Sequence, residues 1–107
     1  PRINASELRR FVGEMKDLYR QYESLGAGKD NDEQARIYAK RIEPRFKMIR
    51  SKVSYATRAG GQGKVPQEFG TFLSEGIGKV NNADEFRKFV MHLEAVVGFM
   101  YGNGKVN

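Results

Sequence analysis

The sequence predicts an all-α fold, a small bundle of about four to six helices, and three observations predict it. Apolar residues recur at spacings of three and four over four separate stretches. Those stretches open on polar caps or proline and mostly close on glycine. No stretch alternates apolar and polar residues between hairpin turns, and no internal repeat is present. At 107 residues the chain is a single domain over 1–107, long enough to fold alone around a small core. Its 39% hydrophobic residues and 12 glycines are the ordinary apolar share of a globular domain, which excludes a disordered chain.

The first helix opens at Asn4, an N-cap with Glu7 three residues on, and Ile3 is placed to staple against Leu8. Leu8, Phe11, Val12, Met15, Leu18, Tyr19, Tyr22 and Leu25 then form one apolar stripe that Gly26 and Gly28 stop. A second segment starts from Asp30 before Glu33 or Asn31 before Gln34 and runs to the glycines at 60, 61 and 63. Pro44 interrupts it. Proline cannot bond back to residue 40 and disfavours helical geometry at Glu43, so a kink or short break is expected there, with Pro44 opening the second half. Tyr38, Ile42, Phe46, Ile49, Val53 and Ala56 share one face, and Ile37, Met48 and Tyr55 a smaller one.

A glycine-rich hinge near residues 59–64 follows. Pro66 then starts a third helix with Phe69, Phe72, Leu73, Ile77 and Val80 as its buried side. Gly70, Gly76 and Gly78 weaken it by about 1 kcal/mol each, making it the least stable helix. Asn82 and Glu85 cap the fourth, whose main stripe is Phe86, Phe89, Val90, Leu93, Val97, Met100 and Tyr101, ending at Gly102. Met91, Ala95, Val96 and Phe99 lie on its other faces. A helix apolar nearly all round is either central or covered by a partner. Met91, Val96 and Phe99 are therefore the candidate subunit interface.

Composition narrows the chemistry. There is no cysteine and one histidine, hence no disulfide framework, thiol nucleophile or zinc ligand set. His92 has no second ligand to share a metal with. Glu94 lacks a companion carboxylate for acid–base work and is expected to pair with Arg58 or another base of the second segment. GGQGK is not a phosphate loop, since the first glycine of that motif would fall on Arg58 and its last position is Val65. No apolar run is long enough to span a membrane and the first residues are no signal peptide, which fits a cytoplasmic protein. The missing initiator Met is what a trimmed chain would show.

The formal charge is +6, and it is unevenly placed: residues 1–25 carry +1, residues 26–61 carry +5, and residues 62–107 carry none. Between Arg36 and Arg58 stand eight basic residues and one acid, Glu43. A solvated helix usually alternates its signs, whereas a one-signed stripe suits a row of phosphates. Arg41, Arg45, Lys47, Arg50, Lys52 and Arg58 are the candidate backbone-binding residues. Tyr19, Tyr22, Tyr38 and Tyr101 sit on apolar stripes and belong to the core, leaving Tyr55 as the tyrosine available for stacking on bases.

Three stretches together resemble one family, the small subunit of type III-A CRISPR effector complexes. INASELRRFVGEM is similar to the family's capped N-terminal helix; FKMIRSKVSYATRAG resembles its Leu-Lys-x-Lys-Leu-x-Tyr segment; EFRKFVMHLEAVVGFMYG is similar to its C-terminal pattern, placing Glu94, Ala95 and Val97. The family's Gly-Arg after the tyrosine appears here as Thr-Arg-Ala-Gly, so Arg58 matches with a shift of one position. The resemblance implies a non-catalytic, antiviral-defence subunit without cofactor or metal. It would be stacked in several copies of itself along crRNA and target RNA, beside the other subunits of the complex. The competing reading is a free-standing helix-turn-helix binder. That needs a short turn followed by a polar, basic recognition helix, and neither follows the basic segment.

Overall fold

The computed structural model describes residues 3–57 and 65–106, so the glycine-rich hinge expected near residues 59–64 lies outside the described residues. Helix α1 (Ala5–Gly26) begins as its cap dictates, with Asn4 Oδ1 accepting from the backbone of Ser6 at 2.9 Å and Glu7 at 3.3 Å. Leu8, Phe11, Met15 and Leu18 are buried, while Leu25 is exposed beyond the end of the core. Helix α2 (Asn31–Ile37) takes Asp30 as its cap, accepting from the Glu33 backbone at 2.8 Å. Gln34, the alternative capping-box residue, has another task. Its amide donates to the carbonyls of Gly26 and Lys29 at 3.1 and 3.2 Å, closing the turn in which Gly28 adopts φ 75°.

The interruption at Pro44 takes the form of a π-helical turn. Residues Tyr38–Ile42 run as one π turn between α2 and helix α3 (Glu43–Thr57), and the Glu43 N–H bonds back five residues to the Tyr38 carbonyl. Helical bonding continues through the proline instead of breaking at it. All six residues expected on one face, Tyr38, Ile42, Phe46, Ile49, Val53 and Ala56, are buried.

Helix α4 (Gln67–Lys79) packs along α3 and buries Phe69, Leu73 and Ile77. Two of the glycines that weaken it intrinsically permit its close contacts: a Cβ at Gly70 would overlap the methyl of Thr57 on α3, and one at Gly76 would overlap the ring of Phe89 in the last helix. Helix α5 (Ala83–Gly102) is capped by Asn82, which accepts from the Glu85 backbone at 2.8 Å, and lies against α1. It is not central. Its inner side, Phe86, Phe89, Val90 and Leu93, is buried, while the end of its stripe, Tyr101, is exposed. The described ends meet where the Ile3 N–H donates to the Lys105 carbonyl at 3.0 Å, forming a bridge between Ile3 and Val106.

Phe86 joins the elements. Its ring centroid stands 4.9 Å from Phe46, 5.4 Å from Tyr38, 6.0 Å from Tyr19 and 6.2 Å from Tyr22. The Tyr38 hydroxyl beneath this cluster has no hydrogen-bond partner among the described residues, and burial pushes its pKa well above the usual tyrosine range. The whole is a slab of 44 × 29 × 19 Å, thin enough that the helices keep an outer face.

Two stability outcomes follow from this packing. Gly76→Ala raises helix propensity yet is expected to destabilise the fold by about 1 to 3 kcal/mol in chemical denaturation, because overpacking against Phe89 outweighs the propensity gain. Tyr38→Phe removes a buried hydroxyl without a protein partner and is expected to raise stability by about 1 to 3 kcal/mol.

Candidate nucleic-acid interface

The basic surplus of the sequence falls on the π turn and α3, and the core divides it. The buried face of α3 is contacted by α1 on one side and α4 on the other, so cations just outside that face lie on two separate flanks. Lys47 and Arg50 face α4; Arg41, Arg45 and Lys52 face α1. Arg58 lies outside the described residues.

On the α4 flank both side chains meet protein. The Lys47 ammonium donates to the carbonyls of Ile77 and Val80 at 2.5 and 2.6 Å. Those carbonyls lie at the end of α4, where helical partners run out and the helix dipole favours a cation. Arg50 donates through Nε to Ser74 Oγ at 3.1 Å, its guanidinium close beside Gly78. Lys47 thus has a structural task that its sequence position does not disclose, because the carbonyls it caps lie 30 and 33 residues away.

On the α1 flank a groove of about 540 Å³ runs between Gln21, Ser24 and Leu25 on α1 and Lys40, Arg41, Pro44 and Arg45 on the second run. It is lined by three cations and no carboxylate. That sets it apart electrostatically, since Arg10, Lys16, Arg20, Arg36, Lys52, Arg87 and Lys88 each hold a carboxylate at 2.7 to 3.9 Å. Lys40 and Arg41 are exposed and have no side-chain partner among the described residues. Arg45 is steadied by a neutral group, donating to Gln21 Oε1 at 2.7 Å. Guanidinium groups without a counter-charge in a concave surface are suited to a bidentate anion such as phosphate. Sequence reasoning does not select Lys40, although it adjoins Arg41; its place in the groove depends on the π turn. Further along the same flank, Lys52 bonds Glu14 at 3.3 Å beside a smaller groove lined by Met48.

A larger groove, about 720 Å³, lies elsewhere, between α1, α2 and the start of α5. Its charges offset one another: Glu23, Asp84 and Glu85 face Arg87 and Lys88. Hydrogen bonds from Lys88 and Arg87 hold the Asp84 carboxyl below the usual carboxylate range, and burial, helped by Glu23, raises the Tyr19 hydroxyl. Such a site offers no surplus charge to a polyanion. Among the described residues no three His, Cys, Asp or Glu side chains gather to hold a metal ion, and no helix is long and apolar enough to cross a membrane.

The candidate protein interface is on the open side of α5. Phe99 is 69% exposed and Met91 is exposed, in line through Ala95, with Val96 half-buried beside them. Glu94 corrects an expectation: among the described residues its partner is Lys16 of α1 at 3.9 Å, both side chains half exposed, and not a base of the second segment. The geometric reason is that α5 lies along α1. His92 is exposed, its ring 5.8 Å from that of Phe72.

These partners separate two charged groups by consequence. Lys47→Met keeps the aliphatic stem but removes both charged hydrogen bonds, and is expected to cost about 1.5 to 3 kcal/mol of unfolding free energy. Glu94→Gln, which breaks an exposed pair, is expected to change it by less than about 1 kcal/mol. Urea denaturation of both variants reads the difference.

A sequence model of the family described as Csm2 Type III-A matches residues 1–102, nearly the whole chain and every described helix. No curated protein and no solved structure gives a significant match. The helical architecture and a family match of this extent lead to one assignment: the chain belongs to the Csm2 Type III-A family, the small subunit of the type III-A CRISPR Csm effector complex.

Proposed function

We propose that this small subunit is a non-catalytic RNA-holding protein of antiviral defence, acting in the cytoplasm. Several copies stack along the crRNA–target RNA duplex beside the other subunits, and basic side chains of the second helical run grip the target backbone. The observation that carries the reading is the carboxylate-free groove of Lys40, Arg41 and Arg45 on a surface where seven other cations are already ion-paired. Phosphate contacts position a nucleic acid without reading its sequence, which suits a subunit of a complex whose specificity comes from guide pairing. Lys52 extends the track along the α1 flank by exchanging Glu14 for phosphate; Arg50, on the α4 flank, takes part only where RNA reaches that side and displaces Ser74, and Arg58 is the remaining candidate of the same run. Lys47 belongs to the track only where RNA displaces its carbonyl partners.

Replacing Lys40, Arg41 and Arg45 with Ala is expected to weaken binding of the assembled complex to every target alike. The slope of log affinity against log salt is expected to fall by roughly 0.7 to 0.9 for each phosphate that no longer has its cation. Affinity and slope at wild-type values would contradict the reading, as would a weakening confined to particular base sequences.

We place the contact with a neighbouring copy on the open side of α5, through Met91, Val96 and Phe99. Phe99→Glu puts a carboxylate into that apolar contact and is expected to abolish assembly or self-association while the helical circular dichroism signal is retained. Assembly of the variant at wild-type level would contradict the placement.

A further inference from the structure

The α1-facing flank of α3 carries more than cations. At about 100° per residue, Arg45, Met48, Lys52 and Tyr55 fall within an arc of about 80°. They alternate cation, apolar, cation, apolar at steps of three, four and three. Met48 is 61% exposed and Tyr55 is 62% exposed, while the neighbouring positions Ile49, Val53 and Ala56 are buried. Two large apolar side chains thus stand outside the core on a basic strip, about 10 Å apart along the helix axis.

We propose that this strip is a seat for unpaired nucleobases: Met48 and Tyr55 each offer a surface to the face of an unstacked base while Arg45 and Lys52 hold the adjoining phosphates. The inference deepens the backbone-holding reading above and rests on it. Charge decides between a base and a protein partner as the occupant. An apolar protein face laid on Met48 and Tyr55 would also bury Arg45 and Lys52, whose present partners are neutral Gln21 and a half-buried Glu14, and desolvating them is costly. A nucleotide supplies both chemistries at once, a phosphate for each cation and a flat π surface for each apolar side chain. A base within a duplex shows only its edges, so the ligand is a base displaced from the stack or one in a single-stranded stretch. The polarisable thioether of Met48 and the ring of Tyr55 accept any of the four bases, so the seat is tolerant of sequence.

The test uses the assembled complex and a complementary target RNA carrying 4-thiouridine at one position at a time. Binding is measured over a salt series for wild type, Tyr55→Ala, Tyr55→Phe and Met48→Ala. The expected result has three parts: affinity falls roughly tenfold in Tyr55→Ala with an unchanged salt slope; Tyr55→Phe keeps wild-type affinity; and photo-crosslinks to peptides containing Met48 or Tyr55 arise from a restricted set of target positions. Unchanged affinity in both alanine variants without such crosslinks overturns the seat. An equal fall in affinity in Tyr55→Phe and Tyr55→Ala also overturns it, because the hydroxyl and not the ring face is then used. Failure of Tyr55→Ala to assemble overturns it in favour of a protein partner. A salt slope that ignores Lys40, Arg41 and Arg45 defeats the backbone reading, and with it the phosphate contact of Arg45 in the seat, and the crosslinks then decide the base contact by themselves.

Discussion

The second helical run is governed by the missing N–H of Pro44. An α-helix continued through this position would lack the bond to the Lys40 carbonyl and drive the proline ring against it. The chain answers with one wider turn, Tyr38–Ile42, in which Glu43 bonds back to Tyr38. Two things depend on that turn. The core face stays in phase from Tyr38 through Ala56, so Tyr38 reaches Phe86 and ties the second run to α5 and α1. On the outside, Lys40 and Arg41 come to lie with Arg45 around one groove. π turns recur at functional sites because they place side chains that a regular helix would scatter.

Beyond the proline, α3 acts as a partition. Its buried face is shared between α1 and α4, and its cations serve according to the flank on which they fall. On the α4 side Gly70 lets that helix close on Thr57, and there the cations meet carbonyl and hydroxyl groups of the protein itself. The α1 side is held by longer polar side chains, which leave a groove and an exposed strip. A basic count alone treats these flanks as equal. The tertiary contacts separate a cation that secures the fold from one available to a polyanion.

Legibility in the sequence follows the range of the interactions. Features set within one or two turns are readable: the caps at Asn4 and Asn82, the choice of Asp30 or Asn31 for the second segment, which the structure decides for Asp30, the six-residue face of the second run, and the disturbance at Pro44. Those that depend on a distant element are not. The sequence shows Gly76 as a helix weakness, and only the Phe89 ring gives it a reason. For Glu94 the sequence points to the right kind of partner on the wrong helix, since charge pattern does not say that α5 lies on α1. For the candidate site, the segment and Arg41, Arg45 and Lys52 are legible, while Lys40 is missed and the capping task of Lys47 is invisible. Tyr55 stands off the main stripe already in the sequence, and its exposure agrees with that.

The central claim is that the groove built by the π turn faces the RNA. An electron cryo-microscopy map of the assembled complex with target RNA bound tests it most directly. The account predicts Arg41 and Arg45 guanidinium groups within about 3 Å of phosphate oxygens of the target strand, the distance of a charge-assisted hydrogen bond. A groove filled by another protein subunit, or open to solvent while the RNA passes along a different face, would contradict it.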